Sequence, residues 1–157
     1  MLDNWFTKGY LTTTSDIALS IFGVNYDTKN DAFVVKVTKD SIFMFDDSKL
    51  KELRIDGKKF KKHTNVPNLF HRNNTYLEVL ANTNDIEMLK FYGKKLREVK
   101  KGPLTQISTP DKYIDFNKIY FKKGSVIKEI KLNNKQFCKL FGGNSKEIKK
   151  YISDNNL

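Results

Sequence analysis

The sequence predicts a mainly β (α+β) domain: an antiparallel β-sandwich or barrel-like sheet of about seven to ten strands with two short C-terminal helices. Three observations carry this. Short β-branched and aromatic runs recur at close spacing and are separated by turn residues. In the last hairpin, Ile114, Phe116 and Lys118 share one parity and Ile119 and Phe121 the other, so both faces of that sheet are partly apolar. After residue 133 the apolar spacing changes from two to three-and-four. The whole chain, 1–157, is read as a single domain, with a β-rich body over 1–132 and a helical cap over 133–157.

The elements follow in order. Trp5, Phe6, Tyr10 and Leu11, then a Thr-rich turn and Ile17 to Phe22, fit short strands better than a helix, although the second run is ambiguous. Residues 23–31 (GVNYDTKND) read as a polar link. Residues 32–38 (AFVVKVT) are β-branched and form a strand, which 39–41 turn into a partner over 42–45. Asp56-Gly57 between two extended runs, 50–55 and 58–62, is a strong hairpin signal. Residues 63–74 (HTNVPNLFHRNN) form a polar loop with both histidines, and Asn82 to Asp85 joins a further hairpin, 75–81 with 86–92. Residues 100–110, which hold Pro103 and Pro110, are the best candidate for a long exposed loop. The sheet resumes over 113–121, turns at 122–125 and continues over 126–132.

In the closing segment Phe137, Leu140 and Phe141 lie on one helical face, and so do Ile148, Tyr151 and Ile152. Gly142-Gly143 stops the first helix, and Asn144 with Glu147 resembles a capping box for the second. The pair is expected to dock on the last hairpin as a stabilising cap.

Charge is the strongest compositional feature. The net charge is +11, yet residues 1–50 carry 5 Lys against 7 Asp, so the excess lies in the rest of the chain. That asymmetry favours contact with a polyanion. The type of basic residue argues the other way, because only Arg54, Arg72 and Arg97 are arginines, and arginine is the side chain of bidentate phosphate recognition. A single cysteine, Cys138, excludes an internal disulfide and a cysteine-built metal cluster in one chain. No run approaches the roughly 20 apolar residues of a membrane-spanning helix.

Few residues frame any chemistry. His63 and His71 share the polar loop with Asn68, Phe70 and Arg72, and these five are the candidate binding-loop residues. A zinc site needs at least three protein ligands and the loop has no carboxylate, so no metal is assigned. Lys58, Lys59, Lys61 and Lys62 interleave with Phe60 and form a candidate basic patch, as on some nucleic-acid surfaces; lysines on an edge strand that block aggregation read equally well. Glu78 lies within an apolar strand, where a half-buried carboxyl would act as an acid; pairing with a cross-strand lysine such as Lys90 is the commoner outcome, and Glu87 reads alike. No Walker loop, dinucleotide fingerprint or nucleophile elbow is present, so no catalytic residue and no cofactor are assigned.

A string of segments carries a resemblance: WFTKGYLTT, NYDTKNDAFVVKV, LKELRIDGKKF, TYLEVL with IEMLKFYGKKL, and a closing IYFKKGSVIKEIKLNNKQFCKLFGGNSKEIKKYI with its K-x-F-x-K-L-F and K-E-I-K-K-Y-I patterns. Together they resemble a family of small secreted proteins of Bacteroidota (flavobacteria and relatives) of unknown function. The resemblance implies a leader peptide removed from a mature form, a periplasmic, outer-membrane-associated or extracellular location, and a β-rich body with a helical C-terminus. It supplies no catalytic residues. Within the sequence itself MLDNWFTKGY has no signal-peptide pattern, which leaves a cytoplasmic protein as the alternative to a processed one. The expected function is a non-enzymatic envelope or secreted accessory module that binds a partner protein, lipid or glycan; the alternative is a basic protein that binds nucleic acid.

Overall fold

The computed structural model describes residues 8–38, 40–69, 74–83, 86–97, 112–130 and 150. Within them lie eleven strands: β1 (Gly9–Thr13), β2 (Ala18–Ile21), β3 (Val24–Asp27), β4 (Ala32–Lys36), β5 (Ile42–Met44), β6 (Leu50–Ile55), β7 (Lys58–Thr64), β8 (Asn74–Thr83), β9 (Ile86–Arg97), β10 (Lys112–Lys123) and β11 (Val126–Ile130). Eight form one sheet in the order β11-β10-β9-β8-β7-β6-β1-β2, and β3-β4-β5 form a second. All pairings are antiparallel. From β6 to β11 the chain is a continuous meander; the β1–β2 hairpin extends it beside β6, and β3 to β5 leave to build the smaller sheet.

The mainly β expectation stands, with three corrections. The large sheet is open, with β2 and β11 as its edges among the described residues, so it is not a closed barrel. The strands number eleven because residues 24–27, read as a polar link, pair with β4. Val24, Asn25 and Tyr26 are all buried there, which their mixed polarity hides. Residue 63 belongs to β7 and not to the loop. The two helices expected over 133–157, the loop over 100–110 and Cys138 lie outside the described residues; the helical content described is one 3-10 turn, Asp47–Lys49, and Lys150.

Turn chemistry explains the meander. Asp56 and Gly57 both take positive φ (50° and 73°), the backbone of a tight hairpin turn whose twist matches its strands. Register then sorts the side chains. Leu11, Leu53, Phe60, Glu78, Lys90, Ile119 and Ile130 are successive cross-strand partners and share one face, here the inner face because the small sheet covers part of it. Tyr26 and Phe33 of the small sheet join Leu11, Leu53, Ile55, Phe60 and Tyr76 in one core. Its rings meet at tilted or edge geometries, with centroids 4.6 Å apart for Phe33 and Tyr76 and 5.2 Å for Tyr26 and Phe60. Gly9 permits the approach of the two sheets, since a Cβ there would stand 2.3 Å from Val24 Cγ1.

The outer face has its own core of Leu77, Leu89, Phe91 and Tyr120. Val66 and Leu69, from the segment after β7, fold over it, and the Tyr120 hydroxyl donates to the Pro67 carbonyl at 3.1 Å.

Candidate functional site

The junction between the small sheet and β8 has a polar centre. Asp31, in the β3–β4 turn, is buried and adopts φ 51°, a left-handed conformation that Asp tolerates better than most residues. Its carboxylate accepts hydrogen bonds from the Tyr26 hydroxyl, from Thr75 Oγ1 at 2.5 Å and from the Tyr76 backbone N–H at 3.3 Å. These bonds tie the β3–β4 turn to the start of β8 and satisfy a carboxylate that burial would otherwise penalise. Beside them opens a cleft of about 190 Å³ lined by Asp31, Phe33, Met44, Phe45, Leu50 and Tyr76.

β5 borders this cleft and, among the described residues, forms an edge of the small sheet. Its three side chains, Ile42, Phe43 and Met44, are 51%, 57% and 62% exposed. Phe45 N–H donates to the Phe33 carbonyl and Val37 N–H to the Ser41 carbonyl, so the odd-numbered residues of this stretch turn their backbone groups towards β4. In an antiparallel ladder the N–H and C=O groups of Ile42 and Met44 therefore point outward, along the open edge. The exposed Phe22 and Val37 lie at the neighbouring end of the sheet, where Lys36 N–H donates to the Gly23 carbonyl. Natural edges are normally blunted by charge or proline, and this one carries neither within β5.

The candidate basic patch does not form one surface. β7 lies between β6 and β8, so its lysines do not guard an edge. Alternation sends Lys58 and Lys62 to the inner side with Phe60, and Lys59 and Lys61 to the outer side. Lys58 Nζ stands 5.2 Å from the centre of the Tyr92 ring, Lys59 pairs with Glu52 at 2.9 Å and Lys61 with Glu87 at 2.5 Å.

The candidate binding loop is divided as well. His63 is a buried residue of β7 on the outer side, opposite Thr75, and its Nε2 has no hydrogen-bond partner. Burial, with Lys122 and Lys61 nearby, lowers its pKa to about 4, against a smaller opposing effect of Glu87. Asn68 sits in the segment over the outer core; its Nδ2 donates to Glu129 at 2.8 Å and its carbonyl accepts from Lys118. Phe70, His71 and Arg72 lie outside the described residues.

Both glutamates are engaged by neighbouring side chains. Glu78 does stand opposite Lys90, and it accepts the Tyr92 hydroxyl proton in a hydrogen bond. Burial would raise the pKa of Glu87, but hydrogen bonds from Lys122 (2.7 Å) and Lys61 (2.5 Å), with their charges, outweigh it and hold the group near 2. Lys61 and Glu87 meet across the intervening β8, where they stand opposite Leu77 and Asn82 on either side of an irregularity between Val79 and Ala81. Among the described residues no three His, Cys, Asp or Glu side chains are grouped to hold a metal.

The sequence reading missed Asp31 and the cleft. The available signal was the run NDAF, an aspartate preceding a β-branched strand, but its partners Thr75 and Tyr76 lie more than forty residues away. Compared with protein-family models, curated proteins and solved structures, the chain matches none of them.

Proposed function

We propose that this chain is a non-enzymatic accessory module that binds a partner protein by pairing an extended segment of that partner with the open edge of β5. The observation that carries the proposal is the edge itself: three consecutive large apolar side chains, each more than half exposed, beside outward-facing backbone groups. Backbone groups of this kind recognise another backbone, which favours a protein over the lipid or glycan ligands also expected of such a module. The envelope location belongs to the proposal through the resemblance alone. The alternative, nucleic acid held by excess lysine, keeps the support of the +11 charge but loses the 58–62 run as a single stripe, since its lysines divide between two faces.

Native purification from cells with the chain as bait tests the proposal when wild type is compared with Met44→Pro and Phe43→Asp. Phe43→Asp changes an exposed side chain and is expected to alter stability by no more than about 0.5 kcal/mol, while Met44→Pro falls where the N–H points outward and removes no ladder hydrogen bond; a denaturant melt checks that both stay folded. A stoichiometric partner that both variants lose is the expected result. Recovery of free monomer alone, or a partner that both variants retain, overturns the proposal. A homodimer that both variants dissociate assigns the edge to self-association instead.

A further inference from the structure

The cleft beside β5 has the composition of a site for an organic cation. Phe33, Phe45 and Tyr76 line it with aromatic residues, Met44 lines it at the strand edge, and Asp31 brings a buried carboxylate held by Tyr26, Thr75 and the Tyr76 backbone. Aromatic faces beside a shielded carboxylate attract ammonium and guanidinium groups more strongly than water-exposed acids do. The volume of about 190 Å³ exceeds the roughly 150 Å³ of a cavity that holds benzene, so the end of one side chain fits.

Charge around the edge agrees. The protein as a whole is strongly basic, yet residues 1–50 carry more Asp than Lys, and the exposed Asp40 and Asp46 bracket β5 on either side. The ammonium of Lys29, in the turn leading to Asp31, is 4.5 Å from the centre of the Tyr113 ring.

Register connects cleft and edge. Phe45 lies opposite Phe33, and both side chains share the side of the small sheet that carries Tyr26. A partner residue laid alongside Phe45 would face that side, where Phe33 and Phe45 wall the cleft. We infer that the partner segment carries a lysine or arginine at this position and that its cationic end occupies the Asp31 cleft. This rests on the strand-addition reading above and gives it a specificity pocket.

Two arms on the full chain separate the two ideas. In the first, randomised eight-residue peptides are selected by display against wild type. Peptides that no longer bind Met44→Pro and that share one basic position support the inference; changing that residue to Met, or Met44→Lys at the cleft, should weaken binding by about tenfold. Edge-binding peptides with no basic position overturn the inference and leave strand addition standing. In the second, n-butylammonium is titrated while amide chemical shifts are followed, with n-butanol as the neutral control. Saturable shifts confined to Phe33, Phe45 and Tyr76, and abolished in Asp31→Asn and in Met44→Lys, are expected even if display yields no edge binder, a result that would sink strand addition alone. Equal responses to amine and alcohol, or none to the amine, overturn the cation site. Met44→Lys changes an exposed side chain, so the test survives if Asp31→Asn fails to fold.

Discussion

On the inner side of β7, Phe60 is sealed against Tyr26, Phe33 and Leu53; on the outer side of the same strand, Lys61 and His63 lie near Glu87 and Lys122. Both sides exclude water, but by different means. The inner side is closed by a second sheet of aromatic and aliphatic groups, whose burial is favourable without directional requirements. The outer side has an apolar core of its own under a short segment pinned through Tyr120, Lys118 and Asn68, but around Lys61 and His63 its burial depends on charges finding partners. A strand reading KKFKKH serves both because its side chains alternate. A run of lysines therefore need not be a patch.

The largest expected break of this comparison is on the inner side. Phe60→Ala removes the ring that touches Tyr26, Phe33 and Tyr92 and should lower unfolding free energy by about 3–5 kcal/mol, read as a shifted midpoint in urea. A loss below about 1 kcal/mol would mean that the small sheet does not seal the large one.

Next comes the charged network. Glu87→Gln leaves Lys61 and Lys122 facing a neutral amide and should cost about 1–3 kcal/mol at pH 7. The folded pKa near 2 lies below the ordinary 4.5, so Glu87 contributes stability in full above about pH 4.5 and loses it as pH falls towards 2. Acid titrations of stability should therefore be flatter for Glu87→Gln than for wild type in that window; parallel curves would show that the network is not formed.

The smallest effect belongs to His63. A folded pKa near 4 against 6.5 unfolded means that the unfolded chain binds the proton first, so stability falls as pH drops from about 6.5 to 4. His63→Leu removes both this sensitivity and a buried nitrogen without a partner, and should change stability at pH 7 by less than about 1 kcal/mol. Unchanged acid sensitivity between pH 6.5 and 4 would place the titrating group elsewhere. Because Glu87 acts mainly below 4.5 and His63 mainly above it, the two variants separate along the pH axis.

Much of the fold is legible locally. Asp56-Gly57 and the β-branched run AFVVKV state their conformations within a few residues, because backbone sterics and turn geometry decide them. Strand β3 was hidden because Asn25 and Asp27 look like turn residues, and only burial between layers makes VNYD a strand. His63 looked like a loop ligand beside other polar residues, and the register of β7 with β8 made it a buried strand residue on the outer side of the sheet. Of the candidate site, Asp31 was silent, since a lone aspartate before a strand acquires meaning only from the hydroxyls and the cleft that tertiary packing brings to it.

The sequence by itself determined that this chain is a lysine-rich, mainly β protein with its hairpins at 56–57 and 124–125, since those properties depend on periodicity and on turns of two residues. The tertiary structure alone decided that the large sheet stays open, that the lysines of β7 divide between two faces, and that Ile42, Phe43 and Met44 line an edge that no other described strand covers. Which strands end a sheet is a property of pairing between distant segments, and no window of neighbouring residues contains it.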